Sequence, residues 1–433
     1  MRLHCGDVRR SPVRTRQQAR CAGPRQTPIH PRPDRVPARQ QRGQRPVAHH
    51  SRPAAVARRA AQRLPLPCAL WPCRPRLRRN AAADAPDGRC ACCGVSLSAG
   101  RQARSAFMSG PSLLNVNDLV VRFAAPGSGF MGLNKRWVHA VNGVSLSISA
   151  GETLGLVGES GSGKSTLGRA ILRLNDITSG QIVFDDVDVA QGSGINLQRL
   201  RSETAMVFQD PSSSLNPRMT VGATLAEVLK VQRKVAASDI PARVIELLDM
   251  VGLRAEFAER KPGALSGGQC QRVGIARALA IEPRLIIADE CVAALDVSIQ
   301  GQIINLLLEL RERMNLAILF IAHDLAIVRR LCDRVAVMYL GKIVEEGPVE
   351  AVFLRPRHPY TAALIQAIPE IDPDRPLPSE PLQGEPPSPL HLPDGCAFHP
   401  RCRFARPTCC SVAPPTRYVG EQRYDCVLDA PVF

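Results

Sequence analysis

The sequence predicts an α/β protein whose parallel sheet carries its chemistry at one edge, and three stretches predict it. Thr153 to Val157 is a short apolar run, followed by GESGSGKST, Gly158 to Thr166, and then by Leu167, Ala170, Ile171 and Leu174 at the spacing of one helix face. Leu285 to Ala288 is a second apolar run, ending in Asp289 and Glu290. Ala317 to Ile321 is a third, and it presents His323. Buried strands alternating with amphipathic helices are the pattern of a parallel sheet.

The chain has 433 residues and a net charge of +17, but that charge is confined to one end. Residues 1–107 hold 23 Arg and four Asp with no Lys or Glu, which leaves residues 108–433 with 33 basic against 35 acidic groups. A nearly neutral globular part gives no argument for nucleic acid, and none is expected as a partner. Residues 1–107 are rich in Arg, Pro and Ala without periodicity at 2 or 3.6, so disorder is expected. The absence of Lys and Glu reads as an upstream stretch translated from a misplaced start, with the domain opening at Met108. A basic arm for nucleic acid or anionic lipid and a targeting segment are the competing readings. Seven of the 15 cysteines precede Met108 and eight follow it, so the total defines no single disulfide framework. No apolar run reaches the roughly 18 residues of a membrane span, so any membrane work would use another chain's spans.

Leu114 to Phe123 and Val138 to Ile148 read as strands, joined by a loop from Gly127 to Arg136. Trp137 closes that loop and either stacks on a base or simply packs. GESGSGKST fits the phosphate-loop pattern G-x-x-x-x-G-K-[ST]. This phosphate loop lies between a strand and a helix N-terminus, where free N–H groups and the helix dipole favour anions, and glycines let the backbone approach. Lys164 would reach β- and γ-phosphates and the Ser165 hydroxyl would ligate Mg²⁺. A glycine-rich turn without a ligand is the alternative, and the flanking strand and helix argue against it.

Gln181 to Val189 reads as a strand pair. Gln209 follows the run Ala205 to Phe208, where its amide could reach a metal or an attacking water; a surface Gln is the bland alternative. Val221 to Val251 is read as a helical stretch. LSGGQ, Leu265 to Gln269, opens a helix whose Val273, Ala276 and Ala280 share a face, and makes a second anion-binding N-terminus. The adjacent carboxylates at 289 and 290 suit different tasks, Asp289 for Mg²⁺ or its waters and Glu290 for polarising a water. Ala294, Leu295 and Asp296 lead into a helix with Ile299, Ile303, Leu306, Leu307 and Leu310 on one face. His323 by itself would be read as structural. It shares the C-terminal sheet edge with the loop and Glu290, where open α/β sheets bind ligands.

In that order, the phosphate loop, Gln209, LSGGQ, Asp289 with Glu290, and His323 resemble an ABC-transporter nucleotide-binding domain over about residues 112–350. The resemblance implies a P-loop NTPase fold, a RecA-like core with antiparallel β and α-helical subdomains, with domain limits at 108–350 and a C-terminal region at 351–433. It implies two such domains sandwiching two ATP molecules. Gly158, Ser160, Gly161, Gly163, Lys164, Ser165 and Thr166 would then hold one ATP, with Mg²⁺ at Ser165, Gln209 and Asp289. Trp137 would meet its base. Glu290 would be the general base and His323 a γ-phosphate contact, while Ser266, Gly267, Gly268 and Gln269 would serve the partner's nucleotide and Asp296 would lie at the seam. Ala293, Cys291 and Lys261 to Ala264 depart from the family pattern, which touches turnover more than ATP binding.

FQDP, SLNPRMTVG, LDVSIQ and RPRHPYTAALIQAIP (Arg355 to Pro369) look like the oligopeptide/dipeptide permease ATPases, closer to the F than the D type. That resemblance implies an ATP-hydrolysing subunit energising peptide import at the cytoplasmic face of the inner membrane. Its partners would be a second ABC ATPase subunit in a heterodimer, two permease subunits and an extracytoplasmic peptide-binding protein. A soluble ABC-type ATPase acting on ribosomes or DNA is the alternative. Cys396, Cys402, Cys409 and Cys426 follow C-x5-C-x6-C-x16-C in a Pro-rich segment, with Cys410 left over. In this family such a tail is associated with a [4Fe-4S] cluster, with zinc or plain thiols as alternatives. The segment lacks apolar residues for a core of its own, so a cluster would be its staple.

Overall fold

Alternation in the short apolar runs sends successive side chains to opposite faces of one sheet. In β3 (Thr153–Val157) Leu154 and Leu156 pack on one side and Val157 on the other; in β7 (Leu285–Asp289) Leu285 and Ile287 oppose Ile286 and Ala288. A computed structural model describes residues 112–125, 136–190, 194–368, 382, 384–430 and 432, all within the compact unit Asp84–Phe433. The readings of residues 1–107, and of most of the loop before Trp137, lie outside the described residues.

The remaining strands are β1 (Ser112–Ala124), β2 (Trp137–Ser149), β4 (Ser179–Phe184), β5 (Val187–Asp188), β6 (Thr204–Val207), β8 (Ala317–Ala322), β9 (Arg334–Tyr339), β10 (Lys342–Pro348), β11 (Thr416–Val419) and β12 (Gln422–Asp425). The main sheet runs β11-β12-β10-β9-β3-β8-β7-β6, parallel among β9, β3, β8, β7 and β6 and antiparallel beyond β9. A second, antiparallel sheet runs β2-β1-β4-β5.

The helices are α1 (Lys164–Ile171), α2 (Ile195–Glu203), α3 (Pro211–Ser214), α4 (Val221–Gln232), α5 (Ile240–Met250), α6 (Gly267–Leu279), α7 (Val297–Met314), α8 (Leu325–Leu331), α9 (Val349–Leu354) and α10 (Pro359–Gln366). One core lies between the main sheet, the antiparallel sheet and α1; the other lies between the main sheet and α4 to α10. The stretch read as helical from Val221 to Val251 is two helices. It breaks at Arg233, which turns left-handed (φ 53) and donates its N–H to the Leu229 carbonyl, and it restarts with Pro241 in the first turn of α5.

The C-terminal region borrows the core of the rest. β12 pairs with β10, Glu345 facing Tyr424 and Glu346 facing Arg423. The Glu345 carboxylate, 1% exposed, accepts N–H bonds from Arg357 (2.8 Å) and His358 (2.9 Å) and a bond from the Gln422 side-chain amide. Burial raises its pKa against those bonds. His358 caps α10 by accepting from the Tyr360 N–H at 3.1 Å, and burial pushes its pKa down to about 3, so it stays neutral. Phe398, 3% exposed, packs edge-on to Tyr339 (5.3 Å between centroids) and against Tyr360 (5.4 Å). Each such aromatic pair contributes about 0.5–1.5 kcal/mol beyond its burial. The tail is thus anchored by a hairpin and an aromatic plug, where the sequence suggested a bound cluster as its staple.

Candidate functional site

The strand register gathers the predicted residues along one edge. Val157 pairs with Ala322, Ile321 with Asp289 and Ala288 with Val207, so the residues just beyond β3, β8, β7 and β6 are neighbours. The phosphate loop joins β3 to α1 with Ser160 and Gly161 as an exposed lip. Two of its glycines are sterically required. A Cβ on Gly163, which caps α1 at φ 103, would lie 2.1 Å from the Ala140 carbonyl oxygen of β2, and one on Gly158 would lie 2.2 Å from the Met338 carbonyl oxygen of β9.

Lys164, 4% exposed, donates from Nζ to the carbonyls of Gly158 (2.7 Å) and Glu159 (2.8 Å), so its ammonium rests inside the loop that a phosphate would fill. Burial lowers its pKa, opposed by Glu290, Asp289 and Glu159. Ser165, with Thr166 beside it in the first turn of α1, donates from Oγ to Asp289 Oδ1 at 2.7 Å. Asp289 is 1% exposed, and burial raises its pKa while Ser165 and Arg169, whose Nη2 is 3.9 Å away, hold it down. A desolvated carboxylate touching a hydroxyl, with a cationic side chain only at the edge of ion-pair range, fits a divalent cation held through oxygen ligands.

Gln209 donates from Nε2 to Glu290 Oε2 at 2.8 Å, and His323 Nδ1 lies 3.8 Å from Glu290 Oε1. The Glu290 side chain is 18% exposed against 57% for His323, so the carboxylate sits recessed between an amide and an imidazole. Its backbone is left-handed at φ 44, held by an N–H bond to the Ile321 carbonyl at 3.0 Å. Such a conformation in a residue other than glycine costs on the order of 1–3 kcal/mol. Nothing in the sequence signals it. Gln209, expected to reach a metal or a water, bonds the Glu290 carboxylate next to Asp289.

The LSGGQ segment opens α6 as expected, with Ser266 as N-cap. Ser266 Oγ accepts from the Gln269 N–H (3.3 Å) and Gln269 Oε1 accepts from the Ser266 N–H (2.9 Å), a reciprocal cap that the S-x-x-Q spacing could have disclosed. Gly268 lies under α7, where a Cβ would come 2.5 Å from Ile299 Cγ2, and Gly267 faces Leu295. Among the described residues no hydrogen bond joins Ser266–Gln269 to the phosphate loop. Asp296 caps α7 through its carbonyl, which accepts from the Gln300 N–H at 2.8 Å, beside Val297 at 83% exposure. Trp137, first in β2, is 42% exposed.

Cys396, Cys402, Cys409 and Cys426 all line one small cavity, of about 20 Å³, with Phe398, His399 and Phe404, while Cys410 is exposed. Burial raises the pKa of Cys396 and Cys426 and pushes Cys402 up to about 11. The thiols share a cavity, yet among the described residues no group of three His, Cys, Asp or Glu side chains is arranged to hold one metal ion.

The family described as ABC transporter matches residues 141–293, and a probable peptide ABC transporter ATP-binding protein of Sinorhizobium fredii is 49% identical over 304 residues, 70% of this chain and 86% of that one. The chain belongs to the ATP-binding proteins of ABC transporters. The oligopeptide transport ATP-binding protein OppF of Salmonella typhimurium is 47% identical over 306 residues, 70% and 92% of the two chains. The C-terminal region of oligopeptide/dipeptide transporters matches residues 344–409 of this ABC ATPase. A solved structure of cbiO1 from Clostridium perfringens, part of the ABC transporter complex cbiONQ, is 30% identical, covering 56% of this chain and 91% of that one with a TM-score of 0.49.

Proposed function

We propose that this ABC ATPase energises ATP-driven import of peptides through a membrane transporter. The observation that carries the chemistry is the convergence of Gln209, Glu290 and His323 beside the Ser165–Asp289 pair at the strand ends. Peptide cargo is supported by the match at residues 344–409 and by relatives named for peptide transport.

The triphosphate would enter over the loop from Gly158 to Thr166, with Lys164 exchanging its carbonyl partners for the β- and γ-phosphates. Ser165, Asp289 and Gln209 would hold Mg²⁺, which neutralises charge on the phosphate oxygens. Glu290 would take the proton of the attacking water, with Gln209 fixing its orientation and His323 touching the γ-phosphate. Trp137, partly exposed at the start of β2, would meet the base. Ser266, Gly267, Gly268 and Gln269 would meet the nucleotide held by a second ABC ATPase subunit in a heterodimer, with Asp296 at the seam.

Two permease subunits would supply the spans, with an extracytoplasmic peptide-binding protein delivering cargo. Among the described residues no helix is long and apolar enough to cross a membrane, and the chain would sit peripherally at the cytoplasmic face of the inner membrane. The four tail thiols would hold a [4Fe-4S] cluster. That the four thiols line one cavity supports this reading, and zinc on the same thiols is the alternative. Reconstitution with the permeases tests the whole proposal. ATP-dependent peptide uptake into vesicles is expected, and hydrolysis that no peptide transport system stimulates would reject the cargo.

A further inference from the structure

Glu159, the residue after the first glycine of the phosphate loop, is gripped from three directions. Its carbonyl accepts from Lys164 Nζ (2.8 Å) and the Ser162 N–H (3.2 Å). Its own N–H donates to the Tyr360 hydroxyl at 2.8 Å. Its carboxylate receives a two-pronged bond from Arg401, Nη1 to Oε2 at 2.6 Å and Nη2 to Oε1 at 3.0 Å. The Arg401 side chain is 5% exposed and the Glu159 side chain 27%. Arg401 ends a short turn, His399–Arg401, directly before Cys402, and its guanidinium lies 6.0 Å over the Tyr339 ring. Tyr339, Tyr360 and Phe398 pack on one another around it. An unbroken series of contacts thus runs from the cysteine cavity through Arg401 and Glu159 to Lys164.

The carboxylate needs such a partner. A loop that binds a polyphosphate collects positive potential from N–H groups and a helix N-terminus, and an unneutralised Glu159 within it would repel the ligand. A forked guanidinium matches a carboxylate in shape and charge and cancels it in place.

We propose that Arg401 is a positioning residue for ATP: it neutralises and fixes Glu159, so that the phosphate loop is preformed, and it couples nucleotide binding to the cysteine-bearing segment 396–410. The inference rests on the phosphate loop binding ATP. It assigns the C-terminal region a part in that binding.

The test uses the full chain. Arg401→Gln should raise Kd and KM for Mg-ATP about tenfold in step while kcat falls far less, because what is lost is binding shared by ground and transition states. Arg401→Lys, which keeps charge without the fork, should fall between. The discriminating variant is Arg401→Gln combined with Glu159→Gln, which removes the stranded carboxylate and should recover most of the lost affinity. Coupling is reciprocal, so Mg-ATP should slow backbone hydrogen exchange in residues 396–410 of the wild type and not of Arg401→Gln. Unchanged affinity in Arg401→Gln, or a double variant no better than the single one, would overturn the proposal. A wild-type chain that binds no Mg-ATP would instead reject the ATP-site reading itself.

Discussion

The phosphate-loop edge and the cysteine cavity both hold reactive side chains, but they are held in place by different means. At the edge, four parallel strands in register set the side chains, and each predicted group already has a neighbour: Ser165 on Asp289, Gln209 on Glu290, Lys164 on its own loop carbonyls. In the tail, irregular segments and short 3₁₀ turns carry Cys396, Cys402 and Cys409, Cys426 directly follows β12, and the rigidity comes from β12 on β10 and Phe398 on Tyr339 and Tyr360. A site on strand ends is preorganised by the fold. A site on turns depends on what anchors the turns, here the ATP-binding unit itself.

That difference can be broken from either side. Lys164→Ala should have the largest effect, because it removes a buried ammonium from the centre of the loop. Losing such a charge costs about 2–5 kcal/mol, so nucleotide affinity measured with a fluorescent ATP analogue should fall by roughly two orders of magnitude or more. Cys402→Ser should act mainly on the tail. Anaerobically purified wild type should be brown and carry about four iron atoms per chain, the variant should be colourless, and ATP affinity should change less than in Arg401→Gln. One zinc per chain in the wild type would replace the cluster reading. Ser266→Ala should be the mildest. It removes one hydroxyl from the α6 cap, costing about 1 kcal/mol of stability by denaturant titration, and should leave ATP binding by the isolated chain intact while lowering turnover of the dimer.

What was legible in the sequence follows the same division. The loop, the strand ending in Asp289 and Glu290, and His323 could be read because each lies in a short apolar run or a motif whose spacing is local. The anchorage of the tail could not, since its Pro-rich segment has no period and the anchorage depends on β12 meeting β10 and on Arg401 meeting Glu159, contacts between residues far apart in the chain. Two local features also escaped. The left-handed backbone of Glu290 leaves no trace in residue type, and the helix break at Arg233 falls where the composition stays helix-compatible until Pro241.

The central claim is that Glu290 is the base of this edge, recessed between Gln209 and His323. Glu290→Gln keeps the size and one acceptor oxygen of the side chain but removes its charge. The measurement is single-turnover ATP hydrolysis alongside nucleotide affinity, with the partner subunit present. Binding should persist while the hydrolysis rate falls by about 10² to 10⁴, the usual contribution of a positioned base. An unchanged rate would contradict the assignment and place the base of the active site on the partner subunit.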